Sequence, residues 1–146
     1  MEAKQPFTDE EYKNIYSRVP RLCVDLIIRN DSGVLMTLRD IEPYKDLWHL
    51  PGGTVLYGET IEAAAKRVAR QELGIEVEVA GSAGYIEYPS EMKIKGWGWT
   101  ITIEALCVIK SGEFKLDRQA RELKFFREIP NNTVEEQKEF LEKGNF

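Results

Sequence analysis

The order of apolar and polar positions along the chain predicts many short strands with three helices between them. Runs rich in β-branched residues predict strands at residues 21–29, 34–38, 54–57, 75–80, 83–88, 99–109 and 122–126. Helical spacing and capping residues predict helices at residues 8–18, 61–73 and 133–142. Polar stretches predict loops at residues 40–46 and 89–98. We therefore expect an α/β (α+β) fold in which a mixed β-sheet lies between helices.

The helix at 61–73 has the clearest boundaries in the chain. Thr60 is a good N-cap residue, and Gly74 stands where a helix commonly ends in the left-handed conformation. A Pro-Gly-Gly turn at 51–53 precedes it, and such a turn exposes backbone groups. The sequence thus places a glycine turn before a well-defined helix.

This helix carries the residues best suited to bind a cation. Arg67 and Gln71 are one turn apart, and Glu72 lies on the neighbouring stripe. Mg²⁺ takes oxygen ligands, often one or two carboxylates together with substrate phosphates. Glu72, Gln71 and a carbonyl of the glycine turn are candidate ligands, and Glu59 can pair with Arg67. The alternative is that Gln71 and Glu72 lie on a solvated helix face.

Composition and charge narrow the range of partners. The 146 residues are 42% hydrophobic and 31% charged, which is typical of one globular domain spanning residues 1–146. The net charge of −5 argues against a broad nucleic-acid or membrane surface. A local basic pocket remains compatible with that charge.

Other features point to a cytoplasmic protein. Cys23 and Cys107 lie in apolar runs, where buried thiols are expected, as in a reducing compartment. Residues 1–14 contain no apolar segment of the signal-peptide kind. No run reaches the roughly 18 apolar residues of a membrane helix, so we expect no membrane partner.

Residues 53–75 resemble the Nudix box, a motif of glycine, glutamate, arginine and aliphatic residues at fixed spacing. Six positions are in register: Gly53, Glu59, Arg67, Glu72, Gly74 and Ile75. The resemblance implies an α/β/α sandwich and a hydrolase that uses Mg²⁺ or Mn²⁺. It also implies that Arg67 and Glu72 have catalytic roles and that the substrate is a small nucleotide.

Two positions depart from the box. Val68 and Gln71 occupy places where the box has glutamate, so that Glu72 alone remains of three carboxylates. A site with fewer anionic ligands has a lower affinity for the cation. The GDP-mannose mannosyl hydrolases also lack those two glutamates, and the chain is similar to that branch beyond the box.

Resemblance to that branch implies a particular ligand set. It assigns the metal to Gly52, Glu72 and Gln119, with Gln71 as a further candidate. The base that this branch uses follows the Gln, and the position holds Ala120 here. Glu122 is the nearest replacement that can act as a general base.

Four further residues are candidates for other roles. Asp25 lies inside an apolar strand, and it is either a site residue paired with Arg39 or Arg67 or a charge at a strand edge. Arg39 follows the first hairpin and can bind phosphate. Trp99 can bind substrate by stacking, like its neighbour Trp97, and core packing is the alternative for both. His49, the only histidine, is expected to be structural.

Three functional hypotheses follow. The first is a Mg²⁺- or Mn²⁺-dependent hydrolase of a nucleoside diphosphate linked to another group, with a nucleotide sugar favoured. The second is a Nudix-fold module that binds nucleotides without hydrolysing them. The third is an ordinary pyrophosphatase in which Glu91, Asp117 or Glu122 replaces the missing ligands. A homodimer is compatible with each of them.

Overall fold

The structure is a computed structural model that describes residues 4–144 and residue 146. The helices are α1 Asp9–Tyr16, α2 Ile61–Val68, α3 Pro89–Lys95 and α4 Glu135–Gly144. A π-helical turn, Ala69–Leu73, continues α2 directly. The strands are β1 Arg21–Asn30, β2 Gly33–Arg39, β3 Trp48–His49, β4 Gly52–Thr54, β5 Ile75–Glu87, β6 Thr100–Gly112 and β7 Ala120–Phe126. No helix in the described part of the chain is long and apolar enough to cross a membrane.

The strands form one mixed sheet. Its main order is β3-β2-β1-β6-β5, with β4 paired to β1 and β7 paired to β2. Strands β1 and β6 run parallel, whereas the other pairs are antiparallel. The predicted fold class is therefore confirmed, and β1 lies at the centre of the sheet.

Alternate residues of β1 pack on opposite faces of the sheet. Val24, Leu26 and Ile28 join a cluster with the fully buried alanines of α2 and the π-helical turn. Ile27 instead belongs to a second cluster that includes Leu141 of α4. This period of two places α2 on one face and α4 on the other, as in a sandwich. The small alanine side chains let α2 approach the sheet closely.

The predicted helix caps are confirmed. The Thr8 hydroxyl accepts a hydrogen bond from Glu11 N in α1, and the Thr60 hydroxyl accepts one from Ala63 N in α2. Gly74 ends the π-helical turn with a φ of 70°, in the left-handed region that favours glycine. Cys23 and Cys107 are buried and unbridged, as expected.

Two loop and turn predictions were wrong. Residues 89–98 were predicted to be a loop, but they contain α3, which begins at a proline and ends at Gly96 with a φ of 81°. Strand β4 occupies 52–54 instead of 54–57, because the glycine turn itself pairs with β1.

Strand and helix lengths also differ from the prediction. Residues 75–87 form one strand instead of two, because bulges at the glycines keep it paired with β6. Strand β6 extends to Gly112, three residues beyond the predicted end at residue 109. The helix predicted to end at residue 73 widens into the π-helical turn after Val68.

Candidate active site

A cavity of about 790 Å³ opens where β1, β4 and the π-helical turn meet. Its volume is within the range of small-molecule sites. Its charged lining residues are Lys4, Asp9, Lys13, Arg21, Asp25, Arg39, Arg67, Glu72, Glu91 and Lys95. Cations thus outnumber anions at the cavity, although the whole chain has a net charge of −5. The local basic pocket that the sequence left open is present.

Glu72 faces the glycine turn from the π-helical turn. A Cβ atom added to Gly53 would lie 3.6 Å from Glu72 Oε2, so the bare backbone lies close to this carboxylate. Burial raises the pKa of Glu72 to about 8, and the nearby charge of Asp117 adds to the shift. The positive charge of nearby Arg39 acts in the opposite direction and lowers the pKa of Glu72. A π-helical turn often marks a functional position, and here it carries both Gln71 and Glu72.

Arg67 connects the helix to the glycine turn. Its Nε and Nη2 atoms donate to the two carboxylate oxygens of Glu59 at 2.7 and 3.0 Å. Nη2 also donates to the Thr54 carbonyl at 2.7 Å, and Nη1 donates to Gln71 Oε1 at 3.0 Å. The predicted Glu59–Arg67 pair is present. These contacts make Arg67 a positioning residue, and they engage the amide oxygen of Gln71.

Arg39 and Gln119 both line the cavity. Arg39 Nε donates to the Pro43 carbonyl at 2.7 Å. Neither terminal nitrogen of Arg39 has a hydrogen-bond acceptor among the described residues, so the fork is available to an anion. The Gln119 backbone accepts from Asp40 N at 2.8 Å, which fixes this segment next to β2.

Asp25 is buried at the floor of the cavity, with 4% of its surface exposed. Tyr88 Oη donates to Asp25 Oδ2 at 2.7 Å, and Gln137 Nε2 donates to Tyr88 Oη at 3.0 Å. Gln137 Oε1 in turn accepts from Leu50 N at 2.7 Å, just before the glycine turn. The predicted arginine partners of Asp25 were wrong, and so was the strand-edge alternative, because β1 is central.

A second buried carboxyl, Glu104 of β6, lies beside Asp25. The two residues are register partners in the parallel pair of β1 and β6. Glu104 is fully buried, its Oε2 accepts from Thr102 Oγ1 at 2.5 Å, and Oε1 has no partner in the described residues. Burial raises the pKa of both carboxyls, and the charge of Asp25 raises the pKa of Glu104 further, to about 10. The pair therefore retains a proton at neutral pH.

His49 has the structural surroundings that its sequence position predicted. Its Nδ1 lies 2.7 Å from the Leu50 carbonyl, so this nitrogen carries the proton, and Nε2 lies 3.1 Å from Thr37 Oγ1. Burial lowers the pKa of His49 to about 3. The ring is thus neutral with both nitrogens engaged.

Two predicted site residues do not line the cavity. Glu122 is exposed on β7 opposite Leu38, so its position does not support a role as general base. Trp99 lies outside the cavity, whereas Trp97, two residues earlier, lines it. Val68 is 1% exposed and packs in the core, where a Cβ atom on Gly53 would lie 3.1 Å from its Cγ2 atom. The remaining predicted residues, Asp25, Arg39, Gly52, Arg67, Gln71, Glu72 and Gln119, all line the cavity.

Sequence reasoning missed other residues that line the cavity or lie beside Asp25. Arg21 Nη1 donates to Thr54 Oγ1 at 2.8 Å and brings a guanidinium next to the glycine turn. Tyr88 and Gln137 come from distant parts of the chain and meet only through the fold. Glu104 had a visible signal, since it is a lone acid in the apolar strand 100–109.

Comparison with known proteins identifies the family to which the chain belongs. Residues 19–127 match the family model for the NUDIX domain, which is more than half of the chain. The chain belongs to the Nudix family. The prediction of the Nudix family from residues 53–75 is thereby confirmed. Nudix hydrolases generally use divalent metals.

Two curated relatives share part of this Nudix chain. The low-salt glycan biosynthesis protein Agl8 of Haloferax volcanii is 41% identical over 90 residues, which are 60% of this chain and 58% of that protein. An ADP-ribose pyrophosphatase of Methanocaldococcus jannaschii is 34% identical over 107 residues, 73% of this chain and 62% of that protein. The chain thus spans about three fifths of the length of each.

A solved structure agrees with the fold. The crystal structure of a MutT NUDIX hydrolase from Burkholderia pseudomallei superimposes with a TM-score of 0.76 at 25% identity. The match covers 85% of this chain and 97% of the other. The sandwich described above is therefore the Nudix fold.

Proposed function

We propose that this protein is a divalent-cation-dependent hydrolase of a nucleoside diphosphate linked to a second group, with a nucleotide sugar favoured. The observation that carries the proposal is one cavity lined by Glu72, the glycine turn and the available fork of Arg39. The names of the two relatives support the substrate class, since one is a glycan biosynthesis protein and the other an ADP-ribose pyrophosphatase.

The residues present fit one hard divalent cation. The candidate donors are all oxygens, from the Glu72 carboxylate, the Gly52 carbonyl and the Gln119 amide, which suits Mg²⁺ or Mn²⁺. A Cβ atom on Gly52 would lie 2.3 Å from Asp25 Oδ1, so only glycine lets the backbone lie this close to the buried acids. When bound, the cation would neutralise charge on the diphosphate.

The chain's own side chains account for the rest of the mechanism. Arg39 presents two N–H groups that can hold a phosphate in bidentate fashion. Arg67 fixes Glu59, Gln71 and the Thr54 carbonyl relative to one another, and so positions the π-helical turn that bears Glu72. Positioning and preformed charge of this kind lower the barrier without further rearrangement.

A binding module is the second candidate, and one observation favours it. The described residues contain no group of three or more His, Cys, Asp or Glu side chains placed to hold a metal ion. Val68 is a core residue and Gln71 is neutral, so Glu72 is the only box carboxylate at the cavity. A module of this kind binds nucleotide and releases no product.

The deciding experiment is hydrolysis of nucleotide sugars, ADP-ribose and dNTPs with Mg²⁺ or Mn²⁺ in ¹⁸O-labelled water. Label on the sugar indicates attack at carbon, and label on phosphate indicates attack at phosphorus. Saturable binding without product supports the binding module instead and refutes the hydrolase.

Glu72→Gln tests the role of the remaining carboxylate. We expect turnover to fall by about 100-fold or more, because the cation loses its only anionic ligand from the box. Glu76→Gln is the matched control, since Glu76 is an exposed residue on β5 that pairs with Arg70. Equal turnover of the two variants would remove Glu72 from the mechanism, provided that circular dichroism shows both folded.

A further inference from the structure

One end of the cavity is lined by aromatic residues and cations that the mechanism does not use. This end is formed by α1, the start of β1 and the segment around α3, and we call it the aromatic end, defined by Tyr12, Arg21, Lys95 and Trp97. The rings of Tyr12 and Trp97 meet edge to face with centroids 6.4 Å apart. Lys95 Nζ lies 3.6 Å from the Trp97 ring centroid, and the Arg21 guanidinium lies 5.8 Å from that of Tyr12.

A buried carboxylate holds the two cations of the aromatic end in place. Glu91 of α3 is 4% exposed, and its Oε1 accepts from Thr100 Oγ1 at 2.7 Å. Its Oε2 lies 3.3 Å from Lys95 Nζ and 3.8 Å from Arg21 Nη2. The cations are therefore anchored before any ligand arrives, which reduces the entropy lost on binding.

The aromatic end is suited to a ring that carries hydrogen-bond acceptors. Aromatic side chains provide apolar contact with a flat heterocycle, and nearby cations add to it. Lys95 and Arg21 supply N–H donors at the same place, and each nucleobase has carbonyl or ring-nitrogen acceptors. A phosphate alone would leave the aromatic surface unused.

We infer that the aromatic end binds the base of the nucleotide, with Trp97 as the residue that determines affinity for it. The inference rests on the proposed function in taking a nucleotide as the ligand. It orients the substrate, because Trp97 lines the same cavity as Arg39 and Glu72, where the proposed function places the diphosphate. A base-free sugar phosphate would lack this contact.

The test uses a matched pair of tryptophans. Trp97 lines the cavity, whereas Trp99, on the other side of Gly98, lines only a small adjoining crevice beside the aromatic end. Binding of AMP, GMP, CMP and UMP is measured by calorimetry for the wild type, Trp97→Leu and Trp99→Leu, with ribose 5-phosphate as the base-free probe. Stacking on an aromatic side chain predicts about tenfold weaker binding of the preferred monophosphate for Trp97→Leu. Trp99→Leu should change it less than about twofold, and neither variant should weaken ribose 5-phosphate.

A second pair covers the case in which Trp97→Leu fails to fold. Trp97→Phe keeps a ring, and it should abolish the nucleotide-induced change in tryptophan fluorescence, whereas Trp99→Phe should retain that change. The inference is overturned if both tryptophans matter equally, if Trp97→Leu weakens ribose 5-phosphate as much as the monophosphate, or if no monophosphate binds the wild type at millimolar concentration.

The outcome also separates the inference from the proposed function. Monophosphate binding that depends on Trp97, without hydrolysis of any diphosphate, would keep the inference and refute the hydrolase. Hydrolysis of a nucleotide substrate by Trp97→Leu with the wild-type KM would keep the hydrolase and refute the inference.

Discussion

The buried pair Asp25–Glu104 makes the stability of the fold depend on pH. Burial and the charge of Asp25 raise the pKa of Glu104 above the value of about 4.3 that a glutamate has in the unfolded chain. The folded state therefore keeps a proton that the unfolded state has already lost. The retained proton contributes to the free energy of unfolding. This contribution is fully present below the pKa of Glu104 in the unfolded chain and is lost as the pH rises towards its pKa in the folded chain.

The size of the effect follows from one retained proton. A difference of one proton between the two states changes the free energy of unfolding by about 1.4 kcal/mol per pH unit. Between pH 5.5 and 7.5 the free energy of unfolding should therefore fall by about 2.7 kcal/mol. Glu104→Gln has almost the same shape and keeps an oxygen for Thr102 Oγ1, but it does not titrate. The variant should therefore lack this part of the slope.

The assay is urea unfolding of wild type and Glu104→Gln at several pH values in that interval. The matched control is Glu78→Gln on neighbouring β5, because the Glu78 side chain is 63% exposed and pairs with Lys110 at the surface. The control should follow the wild-type profile within about 0.5 kcal/mol. Parallel profiles for Glu104→Gln and wild type would refute the idea that Glu104 holds the proton.

Three further substitutions test the architecture of the site. Gly52→Ala should abolish most activity and lower the free energy of unfolding by about 2 kcal/mol, because its Cβ would lie 2.3 Å from Asp25 Oδ1. Turnover and thermal unfolding measure the two effects. Turnover at the wild-type rate would contradict the prediction. Arg67→Met should cost about 3 kcal/mol of unfolding free energy by leaving Glu59 without its partner, and a loss below about 0.5 kcal/mol would contradict that role. Gln71→Glu should tighten Mn²⁺ binding, measured by electron paramagnetic resonance, because it adds an anionic oxygen to the helix; unchanged affinity would count against a cation at this position.

The sequence predicts the parts of the fold that depend on local pattern. The caps at Thr60 and Gly74, and the apolar, β-branched run of β1, are local signals, and the structure contains them. The helix α3 was missed because its polar, lysine-rich sequence has no helical apolar stripe, and its buried contacts come through Glu91. Strand β5 was divided in two because glycine usually signals a turn, whereas here the glycines form bulges within a ladder.

The candidate site was predictable where a fixed spacing defines it. Arg67 and Glu72 follow from the box, but the partner of Asp25 does not, since Tyr88 is 63 residues away in sequence. Glu122 was chosen by closeness in sequence to the position of a missing base. On a regular strand, residues two apart share a face, but the pairing of β7 with β2 shifts its register between Leu38–Glu122 and Arg39–Ala120, so the alternation is interrupted between positions 120 and 122.

Without two of the box glutamates, the site carries less negative charge. Val68 has become part of the core beneath the glycine turn, and Gln71 shares its oxygen with Arg67. The Asp25–Glu104 pair retains a proton, so it adds less negative charge than two free carboxylates would. With Arg21 and Arg39 at the same cavity, the charge of the site favours an anion more strongly than a bare cation. A cation at this site would therefore depend on the substrate's own phosphate oxygens for part of its coordination, as Mg²⁺ commonly does.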